Sequence, residues 1–216
     1  VTDSRAYLVH EAFKIYEEIL GINFEHVNTF TADIDFGDNA SGAWSRAGLI
    51  SDGNQQWNTI NISSSWNSSQ SGFGNYTFQT VLHEIGHALG LGHGGLYNAG
   101  SGGSITFDNS AEFENDCWNF TMMSYFSQND NTNVTHDGAY LSTPQVTDWV
   151  ALNDIYSPQG YGIDNAFTGD TIYGFNTNIS STTSAIYNQL SDYIDSTVFT
   201  IVDGQGVDTL DFSGFS

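Results

Sequence analysis

The stretch HEIGHALGLGH, residues 83–93, constrains this chain more than any other, because it sets three of the six histidines in eleven positions around one glutamate. Phe78, Leu82, Ile85 and Leu89 recur at helical spacing and predict an amphipathic helix over roughly 76–90, stopped at Gly90. On such a helix His83 and His87, four apart, project from one face about one turn apart. That spacing allows two ring nitrogens to reach one zinc ion at about 2.0–2.1 Å. Gly90 can take a left-handed conformation without steric cost, ending the helix and turning the chain back so that His93 arrives as a third ligand. Three protein ligands leave a fourth position for water, the arrangement of a catalytic zinc site rather than a closed structural one. Glu84 follows the first histidine and points near the metal while lying too far round to ligate it. That placement suits a base acting on metal-bound water.

Composition narrows the partners. Three basic residues (Arg5, Lys14, Arg46) oppose 25 carboxylates, a formal charge of −22. Almost nothing is left to displace counterions from a phosphate backbone, so nucleic acid is excluded as a partner, and anionic membrane surfaces repel the chain for the same reason. Most of the acids read as a solvated surface, some as oxygen donors for divalent cations. No apolar run approaches the length of a bilayer span. Cys117 is the lone cysteine and reads as a small buried hydrophobe, so no intrachain disulfide exists. Val1 follows no export signal and reads as a processed or trimmed start. Asn-x-Ser/Thr sequons such as those at Asn61 and Asn75 are expected from the serine- and asparagine-rich composition.

Along the chain, residues 4–20 predict a helix with Val9, Phe13, Tyr16 and Leu20 as its stripe and Gly21 as its stop. INFEHV (22–27) and ADIDFG (32–37) alternate like half-buried strands, and GAWSRAGLI and TINISSSW are further strands around a turn-like SDGNQQ. Residues 94–143, rich in Gly, Asn, Ser and Asp, read as a long functional loop. Thr143 as cap and Pro144 at the first position open a third helix through Tyr156. The texture then turns to short β-like pieces punctuated by Gly and Asp, with a boundary near 158. His10 on the first helix and His26 in a strand read as structural; His136 is left in its loop without a role.

The full HExxHxxGxxH string resembles the metzincin zinc-peptidase motif, and the rest of the chain is similar to the serralysin group. TMMSYF (121–126) supplies the family's methionine turn, with Met-Ser-Tyr falling on Met123, Ser124 and Tyr125; Met122 is the competing assignment. The resemblance implies that Met123 floors the metal site and that the Tyr125 hydroxyl stabilises the transition state. GAWSRAG (42–48) falls where the family's edge strand pairs with extended substrate, implicating Ala43, Trp44 and Ser45. PQVTDWVALNDIYSPQGY resembles the last catalytic-domain helix, and FTGDTIYGFN with IVDGQGVDTLDFSGFS resembles the entrance to a calcium-binding β-roll. Matched residue by residue, that implies a calcium site from the carbonyls of Phe167, Gly169, Thr171 and Gln205 with Asp203 and Asp208. Phe167 stands where the family usually has arginine and Gln205 where it has glycine. LGHGG also departs from the pattern, lacking the usual proline after the third histidine, which removes a restraint on that loop.

These readings imply an α/β (α+β) catalytic domain over 1–157, with a mixed twisted sheet and a long active-site helix. A short β-rich calcium-binding segment, the start of a truncated β-roll, would follow over 158–216. The implied protein is a secreted, extracellular, monomeric zinc endopeptidase that cleaves extended protein and peptide substrates by Glu-assisted attack of zinc-bound water, using Zn2+ and Ca2+. The alternative is a catalytically inactive zinc-bearing binding protein or a calcium-dependent scaffold fragment.

Overall fold

The structure is a computed structural model that describes residues 1–29, 32–49, 55–66, 72–98, 103–135 and 137–215. It opens with helix α1, Asp3–Leu20, whose first turn carries Asp3 against the positive helix end. The helix ends on Gly21 at φ 72°, whose N–H bonds back to Glu17 O at 2.8 Å. The buried face runs through Leu8, Ala12, Ile15, Tyr16, Ile19 and Leu20, while Val9 and Phe13 are only half-buried. The stripe read from the sequence is therefore rotated by part of a turn, because Leu8, Ile15 and Ile19 share the same helical spacing.

Three strands follow: β1 Ile34–Gly37, β2 Ala43–Leu49 and β3 Gln55–Ile62. They form one mixed sheet in the order β1-β3-β2, with β1 parallel to β3 and β2 antiparallel to it. Residues 22–27, expected as a strand, have no ladder partner and run as irregular chain; alternation alone does not make a strand without an edge to pair with. His26 is thus outside any strand, and its ring meets that of exposed His10 edge-on at 4.8 Å. The β3 side chains Ile60 and Ile62 turn into the core, each burial contributing roughly 1.5–3 kcal/mol. Buried Asn61 accepts from Ala40 N at 3.1 Å and donates to Ala40 O and Gly42 O at 3.1 and 3.0 Å, pinning the entry to β2. Its side-chain nitrogen is committed to that bracket, so this sequon is not presented for modification. Of the turn expected at 51–56, Gln55 and Gln56 instead open β3, which ends at Ile62 and not at Trp66, while residues 51–54 and His136 lie outside the described residues.

Helix α2, Tyr76–Ala88, is capped by Asn75, whose Oδ1 accepts from Phe78 N at 3.0 Å. Phe78, Leu82, Ile85 and Leu89 are buried as the periodicity requires. Gly90 at φ 105° turns the chain, and Leu91 N returns to Gly86 O at 2.9 Å. The long loop beyond it contains one helical turn, α3 Phe107–Ser110, that the sequence did not suggest. Helix α4 is Val146–Tyr156, starting after the expected Thr143 and Pro144. Thr143 is used elsewhere, its Oγ1 accepting from Thr200 N at 2.7 Å, and Asp148 accepts from Gln145 N at 2.7 Å to close the helix start instead.

Beyond 158, the expected β-rich segment is mostly turns. It holds two three-residue parallel strands, β4 Ile172–Gly174 and β5 Thr209–Asp211, a short helix α5 Ala185–Asn188 and two 3-10 turns, with a third, Ser157–Gln159, across the boundary. Gly and Asp punctuation marks turns more reliably than strands. Its apolar residues, including Ala166, Tyr173, Ile186 and Tyr187, join the same core as α1, β3 and α2. No helix among the described residues is long and apolar enough to cross a membrane.

Asp148 is the buried charge that ties α4 to the segment 121–123. Its carboxylate accepts from Met122 N at 2.8 Å and Thr121 Oγ1 at 2.6 Å besides Gln145 N. Burial pushes this carboxyl up to about 6 from 3.8, with the three donors pulling the other way. A carboxyl raised on folding contributes stability that is complete below its unfolded pKa and is lost as pH rises through the folded one. Asp148→Asn cannot titrate. Urea unfolding at successive pH values is therefore expected to show the parent losing about 3 kcal/mol relative to this variant between pH 4 and 7. Parallel pH profiles would contradict the assignment.

Candidate active site

The imidazoles of His83, His87 and His93 meet in one cluster. Their rings lie 4.7 to 5.4 Å apart by centroid, and one ring nitrogen from each falls within 4.8 Å of the others. Among the described residues this is the one group of three His, Cys, Asp or Glu close enough to hold a metal. α2 supplies the first two, one turn apart, and the turn at Gly90 supplies the third.

The tautomers follow from the partners. Each ring has its Nδ1 against a backbone carbonyl: His83 with Met122 O at 2.8 Å, His87 with Leu91 O at 2.8 Å, His93 with Tyr97 O at 3.1 Å. A carbonyl oxygen only accepts, so each Nδ1 carries the proton and donates it. Each neutral ring then offers its Nε2 lone pair to the centre. His87 and His93 Nε2 face each other at 3.1 Å, an arrangement that two lone pairs hold only with a cation to share. Ligands at 2.0–2.1 Å in a tetrahedral zinc site stand about 3.3 Å apart, so the donor set fits zinc. Burial, then the charge of His87, lowers His83 to about 3 and His93 to about 4; burial also lowers His87. The three rings are therefore neutral, as metal ligands must be.

Glu84 is 5% exposed, its Oε2 is buried and without a hydrogen-bond partner, and burial raises its carboxyl to about 8. A buried oxygen without a donor, on the helix that carries two of the three imidazoles, is an exception to the rule that buried polar groups are paired. Tyr125 stands across the cluster, its ring 4.5 Å from His93 and 6.5 Å from His83, its hydroxyl 3.4 Å from Asn98 Oδ1. Met122 and Met123 are both buried against Gly86, where a Cβ would lie 2.5 Å from Met122 Cε and 3.0 Å from Met123 Sδ. Gly86, between the two helical histidines, thus permits the close approach of the methionine segment. Met122 also serves through its carbonyl, which orients His83, and through Sδ, which lies 3.7 Å from Tyr16 Oη.

Ala43, Trp44 and Ser45 open β2, which pairs with β3 alone among the described strands and so forms one edge of the sheet. The residues expected at a calcium site fall on two facing loops, 167–171 and 203–208. Asp208 Oδ1 accepts from Thr171 N at 2.9 Å, and Asp203 Oδ2 accepts from Tyr173 Oη at 2.7 Å. Burial, and then the charge of Asp208, push the Asp203 carboxyl upward. Phe167 takes φ 38°, a left-handed conformation uncommon for an aromatic residue. The carbonyls of Gly169 and Thr171 already accept from Thr171 Oγ1 at 2.9 Å and Thr209 N at 2.8 Å. Three residues that bear on the site were not singled out in the sequence: Tyr97, Asp116 and Asp148. No spacing rule distinguishes those two acids from the other 23.

Comparison with known proteins accords with this geometry. The family model described as dual-action HEIGH metallo-peptidase matches residues 12–135, more than half of the chain, and that of the peptidase M10 serralysin C terminal matches residues 164–216. The metallopeptidase AprA of Pseudomonas marginalis is 43% identical over 145 residues, covering 66% of this chain and 28% of its own. Serralysin of Photorhabdus sp. (strain Az29) is 35% identical over 208 residues, 93% of this chain and 41% of its own. Serralysin C of Dickeya chrysanthemi is 38% identical over 141 residues, 65% of this chain and 27% of its own. The chain thus spans well under half the length of these curated relatives. With the motif, the converging imidazoles and matches on both sides of residue 158, the chain belongs to the serralysin-type metzincin metallopeptidases.

Proposed function

We propose that this protein is a secreted, extracellular zinc endopeptidase acting on extended protein and peptide substrates as a monomer. Residues 1–157 carry the catalysis and 158–216 bind calcium through Phe167, Gly169, Thr171, Asp203, Gln205 and Asp208. The observation that supports this best is the set of three Nδ1–H donors committed to carbonyls, which leaves three lone pairs converging, with the next residue after His83 burying a carboxyl oxygen that has no donor.

His83, His87 and His93 would hold the zinc ion. Bound there, zinc supplies a Lewis acid that polarises a carbonyl and brings the pKa of water towards about 7. The protein's own part is proton handling and positioning. Glu84 is raised by burial, and a nearby positive charge draws such a carboxyl back down, so it is poised as a base. It takes a proton from the attacking water and delivers it to the departing amine nitrogen. The Tyr125 hydroxyl donates to the oxyanion that develops on the scissile carbonyl. The free edge of β2 at Ala43, Trp44 and Ser45 aligns the substrate backbone by strand addition, and Met123 supports the floor of the site.

Casein clearing measured with and without a zinc chelator tests the activity; clearing that the chelator leaves untouched, or none from zinc-replete protein, would overturn it. Glu84→Gln is expected to retain zinc and lose at least 10²-fold in turnover, and full activity in a zinc-loaded variant would remove Glu84 from the proton path. His87→Ala is expected to lose the metal itself, read as zinc content per chain; stoichiometric zinc in that variant would contradict its role.

A further inference from the structure

The third imidazole is the least supported by regular structure, since His93 lies beyond the end of α2 in a loop. Gly94 and Gly95 follow it without side chains, and Leu96 is 92% exposed. Yet His93 depends on this loop, because its Nδ1–H donates to the carbonyl of Tyr97 at the far end. What fixes that carbonyl is the Tyr97 side chain. Its hydroxyl donates to both oxygens of Asp116 at 3.0 and 2.9 Å, and Asp116 is only 3% exposed. Its ring also packs edge-on against that of Phe126 in the methionine segment, 5.0 Å away. Its ring lies nearly parallel to that of His93, 5.6 Å away at 22°, and 4.9 Å from that of Tyr125. Gly94 passes so close that a Cβ there would stand 2.8 Å from Asp116 Oδ1 and 3.2 Å from the Tyr97 hydroxyl.

We infer that Tyr97 and Asp116 are positioning residues for the metal site: their hydrogen bond locks the His93 loop and supplies the restraint that a proline after His93 would otherwise give. Asp116 holds the Tyr97 ring, the ring's backbone holds Nδ1 of His93, and the Nε2 lone pair is aimed in consequence. The ring contacts with Tyr125 and Phe126 register the loop against the segment that carries the transition-state hydroxyl. The inference rests on the zinc reading of the three histidines. Loss of an outer-shell partner of this kind costs about 10–100-fold in metal affinity.

The test measures zinc affinity by chelator competition, and the zinc-free melting temperature, for the full chain and its variants Tyr97→Phe, Asp116→Ala and the two combined. Tyr187→Phe serves as the control, because it removes another buried tyrosine hydroxyl bond, to Thr200 O at 2.7 Å, away from the site. Each single variant is expected to bind zinc about 10–100-fold more weakly. The double variant should be no weaker than the poorer single, because both break one link. Tyr187→Phe should bind as the parent does. Parent-like affinity in both single variants, or an equal loss in Tyr187→Phe, would overturn the positioning role while leaving the zinc reading intact. A parent protein that binds no zinc would defeat the zinc reading itself, before any variant is made. Should Tyr97→Phe not fold, Asp116→Ala carries the test, since it removes both acceptor oxygens and leaves the Tyr97 side chain itself unchanged.

Discussion

Three hydrogen bonds from imidazole Nδ1 to backbone carbonyl organise this protein, and the fold can be read as the means of placing those carbonyls. A neutral imidazole has one proton, and committing it at Nδ1 decides that Nε2 faces the centre as a lone pair. Each carbonyl is held by a different device. Met122 O is held through Asp148, which grips the backbone of the methionine segment from α4, and through Tyr16 of α1, which reaches Leu82 O and the Met122 sulfur. Leu91 O is held by the tight turn at Gly90, which bonds straight back to α2. Among the described residues Tyr97 has no such backbone bond, and it is held by its own side chain. The strongest burial therefore surrounds the first two histidines, and the third is held by a polar lock.

Charge is arranged to the same end. With 25 acids against three bases, the chain has few cations to neutralise anything, and each is engaged. Arg5 is buried and donates to Ser63 O and Trp66 O at 3.0 Å each, Lys14 pairs with Glu11 at 2.7 Å, and Arg46 lies 4.6 Å from the Trp44 ring centroid. No described arginine or lysine stands near the imidazole cluster to compete with a metal. The surface field of such a chain draws divalent cations and repels polyanions. The acids that are buried, Glu11, Glu84, Asp116 and Asp148, differ in kind from the solvated ones: three have donors, and Glu84 has an oxygen with none. That contrast is the ground on which the proposed proton path runs through Glu84.

Much of this was legible in the residues because it depends on local periodicity. The helix of the three-histidine motif, its stop at Gly90 and the stripe of Phe78, Leu82, Ile85 and Leu89 follow from spacing within one element. β1 and β2 were legible for the same reason, whereas β3 begins at Gln55, four residues before the strand expected from TINISSSW. Residues 22–27 were misread since alternation has no meaning without an edge to pair with, and no local rule reports which edges are free. The start of α4 was misplaced because Thr143 and Pro144 make a plausible cap, while Thr143 is claimed by Thr200, 57 positions away. Tyr97 and Asp116, 19 positions apart, are illegible on the same ground: their pairing is a tertiary fact.

The central claim is that all three rings carry their proton on Nδ1 and present Nε2 inward. Long-range proton–nitrogen correlation of the histidine rings, recorded on zinc-loaded protein, reads this directly. The account predicts three rings protonated at Nδ1 whose Nε2 resonances shift when zinc is removed. A proton on Nε2 of His83, His87 or His93, or Nε2 resonances indifferent to zinc, would contradict it.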